Sequence, residues 1–458
     1  MNRGVRRMVF SPTVLTRALV VAAGLLLVLS APFGRARSAG NQPGDRLVEG
    51  RGTFPRWRQL SFATDVPLRS IVALPPRGLA ALDGDGTLWV FEVTRTGLAV
   101  SGRYGSVASA AASLATVRLD QDRSGIALVT PEGRLLVWSD GALRAYDVGS
   151  PLSRRASVLP VPMAGRQSQD VLAVAEDGAV VLIGGVVAGG PRVVARLDVH
   201  ALVDGRMTLI DLDGDGTREG VILSDPTKRS SGGGALDPEA ASLVVVGVRP
   251  NGLDLRGRLT LSPPAAFEPL VPVGVSLLTN SRADAVLLVR SAPEQGAAIV
   301  AVGWRDDRPS LLLEGPGLGP SRRSVQPVGA ADLAGDGAPV IIAVTAGTVT
   351  AYRRVGASLQ RVAEAGDYAA RAPGGRGLGS ALIADLDGDG RPEVVLPRRS
   401  RDALVGLGLD GARFTARWSL DLGSPVESNV VVGDLDGDGF LDLAVADRRG
   451  LRLFLSVR

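Results

Sequence analysis

Short apolar runs alternate with turns along most of the chain, as in LDLAVAD and LRLFLSVR near its end. Short apolar runs bounded by turn residues are typical of β-strands, whereas helices require longer stretches with a period near 3.6 residues. The 59 Gly and 29 Pro among 458 residues supply the frequent turns. Aromatic residues are only 4% of the chain, so the core must consist mainly of Val, Leu, Ile and Ala. The pattern predicts an all-β protein.

The strand pattern repeats. Three segments read DLDGDGTREGVIL from Asp211, DLDGDGRPEVVLP from Asp385 and DLDGDGFLDLAVA from Asp434, and a decayed copy, DLAGDGAPVIIAV, begins at Asp332. Weaker units aligned on their second strand place the eight repeat starts near residues 71, 118, 162, 211, 276, 332, 385 and 434. Blades of a four-stranded β-propeller repeat at roughly 40–50 residues. We therefore predict a propeller of about eight four-stranded blades, or seven if one weak unit is misread.

The two ends of the repeat region complement each other. The unit that begins at Asp434 stops at Arg458 without a fourth strand. RWRQLSFATDVPLRSIVAL at residues 56–74 parallels RWSLDLGSPVESNVVVGDL at residues 417–435. The first half of the former segment can therefore supply the missing outer strand, which would leave no exposed seam. This predicts a ring over residues 56–458 that an N-terminal strand closes, rather than an open solenoid.

The N-terminus has the layout of a secretory signal peptide. Six Arg and no acidic residue occur in residues 1–40, and the run from Ala18 to Gly34 is uncharged and followed by small residues. The pattern predicts a signal peptide over residues 1–39, a linker over residues 40–55, and export to the periplasm, the cell surface or the medium. An uncleaved N-terminal anchor is the alternative, and no membrane span is expected beyond this segment.

Charge and cysteine content exclude several function classes. The isoelectric point near 10.0 reflects the N-terminal Arg, because residues 41–458 contain 45 basic and 47 acidic residues. No basic stripe remains that could neutralise a phosphate backbone, so we expect no nucleic-acid partner. The chain has no Cys, which excludes disulfides, thiolate metal sites and a catalytic thiol.

The repeated loops carry the candidate chemistry. In DLDGDGRPE the carboxylates fall at positions 1, 3, 5 and 9, where a tight turn can bring their oxygens to one point. Calcium takes six to eight oxygen ligands and suits such a set, with the backbone carbonyl of position 7 as a further donor. The predicted calcium ligands are Asp211, Asp213, Asp215, Thr217 and Glu219; Asp385, Asp387, Asp389, Arg391 and Glu393; and Asp434, Asp436, Asp438, Phe440 and Asp442.

These loops differ from an EF-hand, which shares only their first half. An EF-hand requires Glu at position 12 and helices on both sides. Position 12 is Ile222, Leu396 or Val445 here, and apolar strands flank each loop. Magnesium stays an alternative, although so many carboxylates in one loop favour the larger ion.

Other Asp-Gly segments are predicted to be turns only. Asp83-Gly84-Asp85-Gly86 aligns with a hairpin of another repeat, and Ala81 stands at its position 1. The Asp332 copy has Ala334 and Val340 in place of two ligands. Near residue 118 only Asp120 and Asp122 remain, so no site is predicted there.

The three DLDGDGxx(E/D) loops with their following apolar strands resemble the FG-GAP/VCBS repeat family, which includes the propeller of the integrin α-subunit. The resemblance covers roughly residues 56–458. It implies a propeller fold, calcium between the first two strands of a blade, and adhesion or ligand binding. Clear Phe-Gly and Gly-Ala-Pro elements are missing, so an integrin-like partner does not follow from the resemblance.

No catalytic constellation is evident. The only histidine, His200, ends an apolar strand without a matching nucleophile motif, and five Trp fall on third or fourth strands, where they suit packing between blades. We therefore expect a non-enzymatic binding, adhesion or scaffolding module that is monomeric. Its ligand would be a protein or a glycan, with protein favoured. The alternative is a propeller enzyme such as a polysaccharide lyase or a quinone-dependent dehydrogenase, which would show a polar cluster in an axial pocket.

Overall fold

The computed structural model describes residues 47–48 and residues 56–457 except 110–111, 156, 164, 187–189, 205–206, 230–237, 251, 278–283, 321–324, 346 and 371–378. The predicted signal peptide and most of the linker lie outside this part of the chain. The described residues are β-strands, turns and irregular segments. They contain no helix that is long and apolar enough to cross a membrane.

The strands form eight antiparallel four-stranded units, numbered here as blades 1 to 8. Two strands precede them in the chain, β1 (Leu47–Val48) and β2 (Trp57–Ala63). Blade 1 holds β3 (Leu68–Ala73), β4 (Leu79–Asp83), β5 (Leu88–Thr94) and β6 (Gly97–Tyr104). Blade 2 holds β7 (Ala115–Arg118), β8 (Ser124–Val129), β9 (Leu135–Ser139) and β10 (Ala142–Tyr146). Blade 3 holds β11 (Leu159–Pro162), β12 (Gln169–Val174), β13 (Ala179–Gly184) and β14 (Arg192–Asp198).

The second half of the chain continues the same pattern. Blade 4 holds β15 (Met207–Ile210), β16 (Glu219–Thr227), β17 (Glu239–Arg249) and β18 (Gly252–Thr260), followed by a short β19 (Ala266–Phe267). Blade 5 holds β20 (Val273–Val275), β21 (Ala285–Ala292), β22 (Gly296–Arg305) and β23 (Arg308–Glu314). Blade 6 holds β24 (Val325–Ala331), β25 (Val340–Thr345), β26 (Thr348–Val355) and β27 (Ser358–Gly366). Blade 7 holds β28 (Leu382–Ala384), β29 (Glu393–Pro397), β30 (Ala403–Asp410) and β31 (Arg413–Asp421). Blade 8 holds β32 (Val431–Gly433), β33 (Asp442–Asp447) and β34 (Gly450–Ser456), with β2 as its fourth strand.

The blades form a closed ring. The first strand of nearly every blade contacts the first strand of the next one, and β3 of blade 1 also contacts β32 and β33 of blade 8. First strands are mostly buried, as in β24, whereas fourth strands such as β31 alternate between buried and exposed positions. First strands therefore lie on the inside of the ring and fourth strands on the outside. Eight hydrophobic clusters fill the spaces between neighbouring blades, built mainly from Val, Leu, Ile and Ala.

Closure by the N-terminal strand is confirmed. Strand β2 pairs antiparallel with β34 from Trp57↔Ser456 to Ala63↔Gly450. On the inside, the Asn429 side chain accepts a hydrogen bond from Ile71 N at 2.8 Å and donates one to Ile71 O at 2.9 Å, which ties blade 8 to blade 1. Residues 224–240 form an insertion in blade 4 whose Gly, Ser and Pro content is typical of a surface loop. At the two ends of this insertion the strands continue, since Pro226 pairs with Ala240 and Thr227 with Glu239.

Because neighbouring strands in a blade run in opposite directions, the connections between strands lie alternately on the two faces of the ring. The loop between the first and second strands of a blade, called its first loop here, lies at the same end as the turn between its third and fourth strands. The turn between the second and third strands lies at the opposite end, with the connection to the next blade. Because the blades repeat in one orientation, the first loops of all eight blades share one face of the ring.

Candidate metal centres

The three acidic segments are first loops. Residues 211–219, 385–393 and 434–442 connect the first and second strands of blades 4, 7 and 8, and we call them the acidic loops. The topology therefore places every predicted ligand on one face of the ring. Blades 7 and 8 are neighbours, whereas blade 4 lies on the other side.

The aspartate at position 1 folds each loop around its own carboxylate. In blade 7, Asp385 Oδ1 accepts a hydrogen bond from Gly388 N at 2.7 Å, and its Oδ2 accepts one from Gly390 N at 3.0 Å. Both glycines have positive φ, 75° and 84°, which side-chain-bearing residues adopt less readily. Asp434 receives the same two bonds from Gly437 and Gly439. The repeated glycines are thus required by this tight reversal.

The acid at position 9 begins the second strand and closes the loop from the other side. Leu386 N donates a hydrogen bond of 2.9 Å to Glu393 Oε2. The equivalent bonds, also 2.9 Å, run from Leu212 to Glu219 and from Leu435 to Asp442. Glu219, Glu393 and Asp442 are all buried, at 2%, 1% and 1% exposure.

The structure brings all four acids of the loop together in blade 7 and three of the four in each of blades 4 and 8. Asp385, Asp387, Asp389 and Glu393 each offer an oxygen within 4.8 Å of the others. The corresponding groups in the other blades contain three acids, Asp211, Asp213 and Glu219 in blade 4 and Asp434, Asp436 and Asp442 in blade 8. The position-5 aspartates of these two loops, Asp215 and Asp438, are not part of the groups.

The position-5 aspartates form local hydrogen bonds instead. Asp215 Oδ1 accepts bonds from Thr217 N at 2.8 Å and from Thr217 Oγ1 at 2.5 Å, and the Thr217 bonds lower the pKa of Asp215. Asp438 Oδ1 accepts a bond from Phe440 N at 2.9 Å. Asp389 makes the matching bond with Arg391 N and still joins its cluster.

Burial and mutual repulsion make the position-9 acids weak acids. Desolvation raises the pKa of Glu393 to about 8, and the nearby carboxylates of Asp387 and Asp385 add to the shift. Desolvation likewise raises the pKa of Glu219 and of Asp442 to about 7 each, again with help from the neighbouring aspartates. Such groups carry their negative charge at neutral pH only at a cost that a cation would remove.

Positive charge reaches the clusters unequally. In blade 4, Arg256 Nη2 donates a hydrogen bond of 2.6 Å to Asp213 Oδ2 and lies 3.6 Å from Asp215 Oδ2. Within the part of the chain that the structure describes, no arginine forms an ion pair with Asp385, Asp387, Asp389 or Glu393.

The donor set fits a hard divalent cation. Each cluster offers carboxylate oxygens and no nitrogen or sulfur, which suits calcium or magnesium better than a transition metal. The blade 7 cluster offers four carboxylates at one point, and burial disfavours their charge unless a cation is present. The carbonyls of Thr217, Arg391 and Phe440 belong to the same loops and would complete the set.

The segments predicted to be turns lack a full ligand set. The Asp332 loop keeps the fold of an acidic loop, since Asp332 accepts bonds from Gly335 N and Gly337 N, both at 2.7 Å, but it lacks the acids of positions 3 and 9. Asp83 is the last residue of β4 and accepts bonds from Asp85 N, Thr87 N and Trp89 Nε1 across the turn to β5.

The remaining short segment is neutralised by its own arginine. Asp120 Oδ2 accepts a hydrogen bond of 2.5 Å from Arg123 Nε, and Arg123 also pairs with Asp140 at 2.9 Å. With a guanidinium already on Asp120, this loop of blade 2 offers no free pair of carboxylates.

The sequence alignment of the repeats places Asp284 at position 9 of blade 5, but it assigned this acid no role. In blade 5, Asp284 Oδ1 accepts a hydrogen bond of 2.8 Å from Leu277 N, seven residues earlier, as Glu393 does from Leu386. The spacing of an acid directly before a buried strand is the signal that could have identified it. This bond recurs without the rest of the carboxylate set, so the position-9 acid has a structural role of its own.

His200 lies at the surface near two aspartates, whereas Trp89 is packed in the cluster between blades 8 and 1. His200 has a φ of 52°, its side chain is 70% exposed, and Asp198 and Asp225 lie 3.8 and 3.7 Å from its ring nitrogens. Trp89 is 7% exposed, stacks parallel to Phe91 and lies under the Arg103 guanidinium.

Comparison with known proteins identifies the fold but no family. No protein-family model matches the sequence, and no curated protein sequence matches it. The fold is similar to the solved structure of Saccharomyces cerevisiae Sqt1, with a TM-score of 0.54, 10% identity, and coverage of 89% of this chain and 100% of that one. It is also similar to the Dos1 propeller, with a TM-score of 0.52, 9% identity, and coverage of 87% and 95%. The C-terminal WD40 domain of Sif2 gives a TM-score of 0.50 at 12% identity, with coverage of 90% and 100%. At such identities the similarity establishes the fold alone, and the chain is a β-propeller.

Proposed function

We propose that the chain is an exported calcium-binding β-propeller of the FG-GAP/VCBS kind that acts as a binding or scaffolding module rather than an enzyme. The observation that carries the proposal is the convergence of Asp385, Asp387, Asp389 and Glu393 in one first loop. Three such loops share one face of the ring. Calcium there would offset the repulsion among the carboxylates and hold the loops in one conformation.

The rigid ring suits a macromolecular ligand. Turns from eight blades form each face, and buried strands hold those turns in place. Recognition over many turns gives specificity without a deep pocket, so we propose a protein ligand in preference to a glycan. Calcium would then act by ordering the surface on one face.

The test is calcium-dependent stability and binding of the mature protein. Because calcium would bind the folded loops and hardly the unfolded chain, each site at a hundredfold excess over its dissociation constant adds about 2.7 kcal/mol to the free energy of unfolding. The melting temperature should therefore rise in millimolar calcium and fall in chelator. A pull-down from native envelope fractions, with and without calcium, would then identify the ligand. No thermal shift at millimolar calcium would contradict the proposal.

A further inference from the structure

Two blades that carry an acidic loop have an arginine at the same bulge of their fourth strand. In blade 4 the register between β17 and β18 shifts between Val245 and Val246, which leaves Arg256 in the bulge. In blade 7 the register between β30 and β31 shifts between Gly406 and Leu407, which leaves Arg417 in the bulge. Each arginine is the fifth residue of its strand, so the two are structurally equivalent.

The two arginines nevertheless have different partners. Arg256 Nη2 donates to Asp213 Oδ2 of the acidic loop at 2.6 Å. Arg417 Nη2 donates instead to Asp410 Oδ1 at 2.7 Å. Asp410 also accepts a hydrogen bond of 2.8 Å from Thr415 Oγ1, so its carboxylate is held from two sides.

The residue at the end of the third strand explains this difference. In blade 7 that residue is Asp410, which pairs with Arg413 across the turn. In blade 4 the residue that pairs with Gly252 across the same turn is Arg249. Arg249 has the same charge as Arg256 and lies 3.4 Å from Asp254. With no acid at this place, Arg256 reaches the acidic loop instead.

We infer that Arg256 takes the place of a cation in blade 4, and that Asp410 keeps the blade 7 cluster open to a cation by holding Arg417 away. The inference rests on the proposed calcium binding and deepens it. A cation entering blade 4 must displace a charged hydrogen bond and then share the loop with a guanidinium. Loss of one charged hydrogen bond lowers affinity roughly tenfold to a hundredfold.

Blade 8 resembles blade 7 in that no described arginine forms an ion pair with Asp434, Asp436 or Asp442. Arg95 acts on Asp436 only through its positive charge, which favours the ionised carboxylate. The fourth strand of blade 8 is β2, which comes from the N-terminal side of the chain and runs beside β34 without a register shift. Gln59 and Leu60 lie where blade 4 has its bulged arginine. Among the three acidic loops, those of blades 7 and 8 are therefore the two that would bind calcium tightly, and that of blade 4 is neutralised by its own arginine.

Calcium stoichiometry tests the inference directly. Equilibrium dialysis of the mature protein against calcium should give two tightly bound ions per chain. The tight range is the range of calcium concentration over which these two ions bind. Asp387→Ala combined with Asp436→Ala removes both tight sites and leaves only the blade 4 loop, so this variant should bind none in that range. Adding Arg256→Gln should restore one ion, with affinity at blade 4 raised roughly tenfold to a hundredfold.

A reciprocal pair of variants tests the role of Asp410. Asp410→Asn releases Arg417 and should reduce tight binding from two ions to one. Arg417→Gln alone should leave two ions bound, and Arg417→Gln added to Asp410→Asn should restore two. Melting curves in chelator establish that each variant is folded.

The outcomes separate the inference from the proposal on which it rests. Three equivalent ions in the unmodified chain, with no gain from Arg256→Gln, would overturn the inference and leave calcium binding intact. An Asp410→Asn variant that still binds two ions would likewise overturn it. Absence of binding to every variant, including the unmodified chain, would instead refute the proposed function.

Discussion

The backbone N–H of Leu386 donates a hydrogen bond of 2.9 Å to Glu393 Oε2, seven residues along the chain. One carboxylate thereby closes the loop and also faces the other acids of the cluster. Asp284 makes the same bond in blade 5, where the three-aspartate motif is missing. The structural role and the proposed metal role of Glu393 can therefore be separated by substitution.

Glu393→Gln separates them because an amide oxygen can still accept the bond from Leu386 while the charge is lost. We expect the variant to melt in chelator at or above the temperature of the unmodified protein at pH 8, since a buried charge has been removed. Its calcium-induced rise in melting temperature should be smaller, because the contribution of the blade 7 site to that rise is lost. Glu393→Ala, by contrast, should lower stability in chelator by roughly 1–3 kcal/mol, because Leu386 N–H stays buried without an acceptor.

Asp284→Asn serves as the matched control in blade 5. It replaces an acid at the same position of the repeat, outside any cluster of carboxylates that the structure brings together. Differential scanning calorimetry should therefore show an unchanged calcium response. A reduced response would indicate that position 9 acts on calcium only through the fold of the propeller.

Asp387→Ala and Asp436→Ala should each remove part of the calcium-induced stabilisation, because each deletes one carboxylate from a cluster. Asp85→Ala should leave the response unchanged, since Asp85 is exposed in the turn between β4 and β5. Thermal melts with calcium and with chelator measure the difference. If Asp85→Ala abolished the response while Asp387→Ala preserved it, the assignment of the sites would be wrong.

Much of this arrangement could be predicted from the sequence because the repeat is encoded locally. A DxDxDG segment between two apolar runs specifies a tight reversal, and its glycines match the positive φ values seen at Gly388 and Gly390. The Asp83 segment was separated from these by its alignment with a hairpin of another repeat and by Ala81 at its position 1. Its buried carboxylate caps the turn and bonds the Trp89 indole at 3.0 Å.

Contacts between distant parts of the chain could not be predicted in this way. Arg256 reaches Asp213, 43 residues earlier, from a bulge of β18, whereas Arg417 at the equivalent bulge of β31 bonds Asp410. The continuation of the blade 4 sheet into blade 5 depends on β19, which has two residues and no periodicity to detect. Ala240 pairs with Phe267 there, although the insertion around Ala240 has the composition of a loop.

Closure of the ring predicts that β2 is required for stability. A chain that begins after Ala63 would expose the edge of β34 and the ring of Phe454. In the intact ring Trp57 packs edge-on against Phe454, with 6.4 Å between the ring centroids. An unpaired edge strand is also a site of aggregation. We expect such a truncation to lose cooperative melting, whereas a chain that begins at residue 46 retains β1 and β2 and should keep a cooperative melt. Equal stability of the two truncations would contradict closure by β2.

Stability in chelator should depend on pH in a direction opposite to that of ordinary salt-bridged acids. Burial raises the pKa of Glu393 from 4.5 to about 8, that of Glu219 from 4.5 to about 7, and that of Asp442 from 3.8 to about 7. Between these pKa values the folded protein holds protons that the unfolded chain has released. The contribution of these three acids to stability is therefore present in full below about pH 4 and is lost as the pH rises toward 8.

The proposed calcium binding should reverse this trend, because a bound cation would favour the ionised carboxylates and release their protons. The melting temperature in chelator should fall steadily from pH 5 to pH 8, and the gain from calcium should grow over the same range. The triple variant Glu219→Gln, Glu393→Gln, Asp442→Asn cannot ionise at these positions, so its melting temperature in chelator should be nearly flat between pH 5 and 8. If the melting temperature of the unmodified protein rose with pH in chelator, a positive group in the folded protein would have to stabilise the ionised form of these acids.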